Sequence, residues 1–322
     1  MKLLTEGVRV RYFTLGQFNF VLFTIRIAIH GGMAMDGVQT KRLDLSQLAR
    51  EFGSSKGAAG YSVVYDSLFA YLRDRDINIL EIGLAEGGPE VDGDKDRATT
   101  HVPSVEMWRR YFHEPNVVGF DISDFAQFQD ARFTFVRGDS GDPADLRKVK
   151  DLGIDFDIVI DDASHASYHQ QVAFGALFDV VKPGGFYIIE DLNWNPTQYE
   201  KTLPAVPKTR EWLTDFLVTG QLAPTAGISA ETAADVAARV QSLHLYDEHM
   251  LNALRVNYNL LNDIPSGSGF DISRPWRGKS TLGKITDPYF LLYNLRRLKA
   301  TFRGDECVTR ENVMLAIVQK RF

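Results

Sequence analysis

Five short apolar runs, spaced by amphipathic stretches, constrain this chain more than any other feature. Ile77–Gly83, Val117–Asp121, Phe133–Val136, Phe156–Ile160 and Phe186–Ile189 are short and rich in the residues that strands favour. Between them, Ser104–Phe112 reads as a helix capped by Ser104. Residues 166–181 read as another, stopped by Lys182-Pro183-Gly184-Gly185. This alternation predicts an α/β fold, a parallel sheet covered by helices. Four of the runs lead directly into Gly83, Asp121, Asp161-Asp162 and Glu190-Asp191, and the third runs into Arg137-Gly138-Asp139. In an open α/β sheet the ligand lies outside the carboxyl ends of the strands. The polar residues are therefore expected on one edge, where a site belongs.

The flanks extend the pattern. Leu43–Phe52 and Val63–Arg73 read as helices leading into the sheet. Arg210–Val218, Ala230–Val240 and His249–Leu261 read as helices beyond it. Ser242–Tyr246 reads as a sixth strand. Val313–Val318 reads as a seventh, inserted antiparallel, with 249–311 looping out between the two.

Tyr12–His30 is apolar but broken by Gln17, Asn19 and Arg26, so it predicts strands or a buried helix rather than a spanning segment. It lacks the pattern of a signal peptide. Contact with a membrane surface is kept as a minority reading.

Charge narrows the function classes. The 322 residues hold 42 acidic and 36 basic side chains, a net charge of −6. A general nucleic-acid binder is usually basic, so no nucleic-acid partner is expected. Residues 270–322 run the other way, with basic residues in excess. That tract reads first as a solvated or subunit-facing surface, in line with a homo-oligomer. One cysteine, Cys307, excludes an internal disulfide and fits a reducing, cytoplasmic location.

The turn Glu81-Ile82-Gly83-Leu84-Ala85-Glu86-Gly87-Gly88 lets a ligand approach the backbone, but it lacks the spacing of a dinucleotide site. Asp121 stands where a carboxylate accepts hydrogen bonds from both ribose hydroxyls, and Gly138-Asp139 where an adenine edge would sit. Together they point to a nucleoside-bearing cofactor.

In these motifs the chain resembles the class I S-adenosylmethionine-dependent methyltransferases over roughly residues 43–247. The resemblance implies a Rossmann-like seven-stranded sheet with an antiparallel last strand and helices on both faces. Asp161-Asp162-Ala163-Ser164-His165 and Glu190-Asp191 carry a narrower resemblance, with Gly53-Ser54-Ser55-Lys56 and Ser242-Leu243-His244-Leu245-Tyr246-Asp247 beside them. They resemble the metal-dependent macrolide sugar O-methyltransferases of the mycinamicin and macrocin type. That likeness implies magnesium (or manganese) on Asp162, Glu190 and Asp191, with His165 as general base. S-adenosylmethionine is then expected on Lys56, Tyr65, Glu81, Gly83, Asp121, Ser123, Gly138, Asp139 and Asp161. Lys56, Tyr61 and Tyr65 are read as closing over its methionine end, with ordinary packing by the two tyrosines as the equal alternative.

The expected organisation is an N-terminal accessory segment over 1–42 and a methyltransferase domain over 43–322. Insertions fall at 89–103 and about 249–311, where such segments shape the acceptor pocket.

The chemistry of these residue types agrees. Carboxylates at neighbouring strand ends suit a hard cation with open positions for two adjacent hydroxyls. The bound metal lowers an alcohol's pKa and orients its oxygen, and a base removes the proton during attack. The reading is an O-methyltransferase acting on a sugar hydroxyl of a natural product, glycolipid or polysaccharide. Its rivals are a catechol-type O-methyltransferase and a catalytically silent cofactor-binding or assembly protein on the same fold. His169 is read as helix packing, and Trp194, Trp276 and the aromatics near 289–293 as core or interface.

Overall fold

A computed structural model describes the backbone of residues 9–15, 18–24, 42–262 and 313–322, and the side chains of residues 42–259, 262 and 313–322. The chain divides into two compact units, Met1–Arg42 and Leu43–Phe322. In the first, β1 (Arg9–Leu15) and β2 (Phe18–Thr24) form an antiparallel hairpin with Leu15 paired to Phe18. Strands are thus found in the first part of the apolar N-terminal stretch; residues 25–41 lie outside the described residues.

The second unit is built on a seven-stranded sheet. Its strands are β3 (Asn78–Ile82), β4 (Asn116–Asp121), β5 (Phe133–Arg137), β6 (Phe156–Asp161), β7 (Val181–Ile189), β8 (Val240–Asp247) and β9 (Val313–Lys320), in the order β5-β4-β3-β6-β7-β9-β8. Strands β3 to β7 run parallel, and β9 lies antiparallel between β7 and β8. This is the Rossmann-like arrangement expected, including the inserted last strand. The chain builds outward from β3 to β5 and then returns to β6 on the other side of β3. The crevice between the carboxyl ends of β3 and β6 is therefore the switch point, where ligands bind.

The strands read as continuous apolar runs because both faces are covered. In β6, Ile158 and Ile160 face one core and Val159 the other; in β7, Phe186 and Ile188 oppose Tyr187 and Ile189. One face is covered by α1 (Leu45–Phe52), α3 (Tyr61–Phe69) and α4 (Pro103–Tyr111), which bury Leu48, Tyr65, Phe69 and Trp108. A short helix, α2 (Ser55–Ala58), joins α1 to α3. The other face is covered by α5 (Pro143–Lys150), α6 (Ser167–Leu177), α8 (Thr209–Thr219) and α9 (Ala230–Arg239). The one-turn α7 (Thr197–Glu200) precedes α8, and α10 (Glu248–Leu261) follows β8.

Two local expectations are corrected, and one helix is added. Ser104 does not cap α4: Val102 holds the cap position, Pro103 fills the first helical position, and Ser104 is buried within the first turn. Lys182-Pro183-Gly184-Gly185 is not a turn ahead of a strand but a bulge within β7. Val181 pairs with Phe156, and the next pair is Phe186 with Ile158. Helix α5, capped by the Asp142 side chain on Ala144 N–H, had no counterpart in the sequence reading.

Among the described residues no helix is long and apolar enough to cross a membrane.

Candidate active site

The ends of β6 and β7 bring acidic residues together because the strands are adjacent and parallel, with Asp161 paired to Ile189. Asp161 and Asp162 leave β6, and Glu190 and Asp191 leave β7. From the helical layer, α2 and α3 reach over with Lys56, Tyr61 and Tyr65; the two tyrosines lie four residues apart, on one face of α3.

Lys56 stands at the centre. Its Nζ is 2.6 Å from Asp162 Oδ2, 3.1 Å from Glu190 Oε1 and 3.1 Å from Glu81 Oε1. An ammonium has three donors, and three carboxylates surround this one. Burial pulls the Lys56 pKa down, but the attraction of Asp162, Glu190 and Glu81 outweighs it and raises the pKa well above the usual value. The Tyr65 hydroxyl donates to Glu190 Oε1 at 2.6 Å and the Tyr61 hydroxyl to Asp191 Oδ1 at 2.5 Å. Trp108 Nε1 donates to Glu81 Oε2 at 3.1 Å.

Negative charge is nonetheless in excess. Burial, then repulsion from Asp162, raises the pKa of both Glu190 and Asp191. Asp161, fully buried beneath them, is pushed up to about 7, chiefly by desolvation. Such a cluster is what a divalent cation would neutralise. Among the described residues, ligand atoms of Asp162, His165 and Asp191 all lie within 4.8 Å of one another. This set differs from the expected one: His165 joins it, whereas both named contacts of Glu190, to Lys56 and Tyr65, fall on its Oε1. Oxygen donors from two aspartates with a neighbouring glutamate fit a hard cation such as magnesium.

His165 and Asp191 share an unusual backbone. Their φ angles are +57° and +51°, the left-handed region that few side chains adopt. Strain of this kind persists where the surroundings hold it and collects at functional sites. His165 Nε2 is 4.0 Å from Asp162 Oδ1, its carbonyl accepts from Asn195 Nδ2, and its ring meets Trp194 edge to face at 5.3 Å. Trp194 is 42% exposed, which excludes the core half of the core-or-interface reading.

Next to the carboxylates lies a cleft whose empty space, open solvent included, is about 440 Å³. Gly83, Asp121, Gly138 and Asp139 line it, as expected of nucleoside-site residues. Gly83 has φ +86°, and a Cβ there would fall well inside contact distance of the Asp162 carbonyl oxygen. Only glycine lets β3 turn beneath the loop leaving β6. Asp121 is oriented by two backbone donors, Leu84 N–H at 2.8 Å on Oδ2 and Ser123 N–H at 2.7 Å on Oδ1. Burial raises its pKa; these donors and Arg97 oppose that.

Five expected cofactor residues do not line this cavity. Lys56, Tyr65 and Glu81 are spent on the carboxylate cluster, Asp161 is sealed below it, and Ser123 is bound to Arg97. Lys56, Tyr61 and Tyr65, read as closing over a methionine end, make their side-chain bonds to carboxylates. Conversely, His169 is not simple packing. It lines the cavity, 2.9 Å from Ser164 Oγ through Nδ1, and burial lowers its pKa. Glu90, Arg97 and Tyr199 also line it. Glu90 and Arg97 belong to the 89–103 segment, expected to serve the acceptor. Trp276 and 289–293 lie outside the described residues.

No family model matches the chain. Its curated relatives are sugar O-methyltransferases. It is 40% identical over 149 residues to 8-demethyl-8-alpha-L-rhamnosyl tetracenomycin-C 2'-O-methyltransferase of Streptomyces olivaceus, covering 46% of this chain and 37% of that one. It is 36% identical over 161 residues to demethylmacrocin O-methyltransferase of Streptomyces fradiae, covering 48% and 38%. It is 34% identical over 161 residues to mycinamicin VI 2''-O-methyltransferase of Micromonospora griseorubida, again 48% and 38%. The chain thus spans well under half the length of the curated relatives it matches. Among solved structures it is similar to the MycE methyltransferase of mycinamycin biosynthesis in complex with Mg and SAH. In one crystal form of that protein the TM-score is 0.50 at 25% identity, covering 64% of this chain and 53% of that one. In a second form the TM-score is 0.50 at 27% identity, covering 64% and 52%. By sequence over just under half its length, and by the topology of its sheet, the chain is similar to class I S-adenosylmethionine-dependent methyltransferases of the macrolide sugar O-methyltransferase kind.

Proposed function

We propose that the protein is a magnesium-dependent O-methyltransferase that moves the methyl group of S-adenosylmethionine to a sugar hydroxyl of a natural product. One observation carries the reading: Asp162, His165 and Asp191 converge at the ends of β6 and β7, beside a cavity lined by Gly83 and Asp121. The similarity to rhamnosyl and macrolide sugar methyltransferases supports the choice of acceptor.

The residues divide the work. Asp121, held by Leu84 and Ser123, accepts the ribose hydroxyls, and Gly138 and Asp139 border the adenine. Asp162 and Asp191 would hold the magnesium, together with Glu190. A bound divalent cation makes a hydroxyl more acidic and fixes its oxygen. Lys56 and the two tyrosines favour the ionised form of these carboxylates against burial and mutual repulsion, and aim them, so that little reorganisation is left for the reaction. His165 presents Nε2 toward the carboxylates and takes the acceptor's hydroxyl proton there. Trp194, half exposed against His165, offers the acceptor an apolar wall. The reading goes with a cytoplasmic location and an oligomer, supported by the lone Cys307 and the basic tract at 270–322.

The test is label transfer. Purified protein is given methyl-labelled S-adenosylmethionine, magnesium and a panel of rhamnosylated polyketides and macrolide glycosides, with catechols as the contrast. Label in a sugar methoxyl group, lost in EDTA and restored by magnesium, is the expected result. Transfer to catechols alone, or transfer undiminished by EDTA, overturns the reading.

A further inference from the structure

We propose that residues 86–100 form a clasp over the nucleoside end of the cofactor cavity, and that Arg97 fastens it. The inference rests on the cofactor reading above and extends it to a segment that no motif marks.

The segment is built, not loose. After the glycine turn it folds back on itself: Gly93 N–H donates to Gly88 O at 3.0 Å, and Glu90 Oε1 accepts from Gly88 N–H at 2.8 Å. A Cβ on Gly93 would collide with the Gly87 carbonyl oxygen, so the fold-back needs glycine there. The far end is anchored to the loop that follows β4 and to the last residue of β5. Thr99 Oγ1 donates to Asp124 O at 2.7 Å, Gln127 Nε2 donates to Thr99 O at 3.1 Å, and Asp96 pairs with Arg137.

Arg97 closes the loop across the cavity. One arm of its guanidinium bonds the Ser123 hydroxyl; the other donates to Ala85 O at 2.5 Å and lies 3.7 Å from Asp121 Oδ1. A single side chain therefore ties the glycine turn to the residues after β4, beside the carboxylate that would hold the ribose. A planar guanidinium can bridge these partners; a lysine can satisfy only part of the set. Glu90 and Arg97 are cavity walls as a result. A ligand enclosed by this wall leaves only when the wall opens, so Arg97 governs release more than entry.

S-adenosylhomocysteine and 5'-methylthioadenosine are the probes, since both carry the nucleoside and the second lacks the amino acid. Arg97→Ala should speed release of both by the same factor, about 10- to 100-fold, as expected for losing charge-assisted hydrogen bonds. Arg97→Lys should fall between. Manganese affinity, read by electron paramagnetic resonance, should not change. Wild-type protein that binds both probes while Arg97→Ala releases them within about twofold of it overturns the clasp and leaves the cofactor reading intact. Wild-type protein that binds neither overturns both. If Arg97→Ala does not fold, hydrogen exchange on wild-type protein decides. The amides of Gly88, Gly93 and Arg97 should slow on adding S-adenosylhomocysteine, and unchanged exchange overturns the clasp.

Discussion

Lys56 Nζ and Asp162 Oδ2 stand 2.6 Å apart, although 106 residues separate them in sequence. The pair joins the helical layer to the end of β6, and the same ammonium serves Glu190 and Glu81. Removing one partner of a buried ion pair leaves the other charge without compensation, at a cost of about 3–5 kcal/mol. Lys56→Met should therefore lower the stability of the metal-free protein by about that amount in urea denaturation. The deficit should grow with pH. Burial raises the pKa of Glu190 and Glu81 and Lys56 opposes it, so without the ammonium these two titrate higher still, and a carboxylate with a raised pKa costs stability as pH rises through that range. A deficit equal at pH 5 and pH 8 would show that the ammonium does not compensate these carboxylates.

Asp161 adds a second pH effect of the same sign. Its carboxyl is pushed up to about 7 by burial, against about 4 in an unfolded chain. Between those values the folded state holds a proton that the unfolded state has lost, so stability falls as pH rises from about 4 to 7. Asp161→Asn should flatten this part of the pH–stability curve of the metal-free protein. An unaltered slope would mean that Asp161 titrates normally.

Asp121→Ala should weaken S-adenosylhomocysteine binding by about 1–3 kcal/mol, the range for lost hydrogen bonds to a charged group. It also leaves Leu84 N–H and Ser123 N–H without their acceptor, which loosens the glycine turn. Calorimetric titration with unchanged affinity would take Asp121 out of the site.

His165 can be tested apart from the cofactor and the metal. As the base, its loss in His165→Ala should cut turnover by about 10²–10⁴-fold while S-adenosylhomocysteine affinity stays unchanged. Its ligand atom lies in the group with Asp162 and Asp191, so manganese affinity measured on the same variant separates the two roles. Affinity kept with turnover lost identifies the base; affinity lost identifies a ligand.

Gly83→Ala should damage fold and site together. It places a side chain at φ +86° and against the Asp162 carbonyl. The cost should be at least about 2 kcal/mol, from backbone strain and displacement of the loop leaving β6. Thermal unfolding within a degree of wild type would show that the turn relaxes freely.

Much of this protein was legible in its sequence, for a local reason. Strand length, apolar periodicity and the residue closing each strand are short-range properties. They mark the strands and place Asp121, Asp162, Glu190 and Asp191 on one sheet edge. Strand β9 was legible too, since Val313–Val318 is an unbroken apolar run that suits a strand buried on both faces; its antiparallel direction came from the resemblance and not from the run. What local pattern cannot carry is which groups meet across the sheet. Lys56 reads as a cofactor ligand until the packing of α2 and α3 over β6 and β7 shows its three donors taken by carboxylates. Arg97 sits in a polar stretch with no periodicity, and only the return of that stretch across the cavity brings it to Ser123 and Asp121. The positive φ of His165 and Asp191 is equally silent in sequence, because the surrounding tertiary structure, and not the residue type, holds a side chain in that region. Sequence determined the sheet and the edge that bears the chemistry; long-range packing decided which charges compensate one another and which residues enclose the cavity.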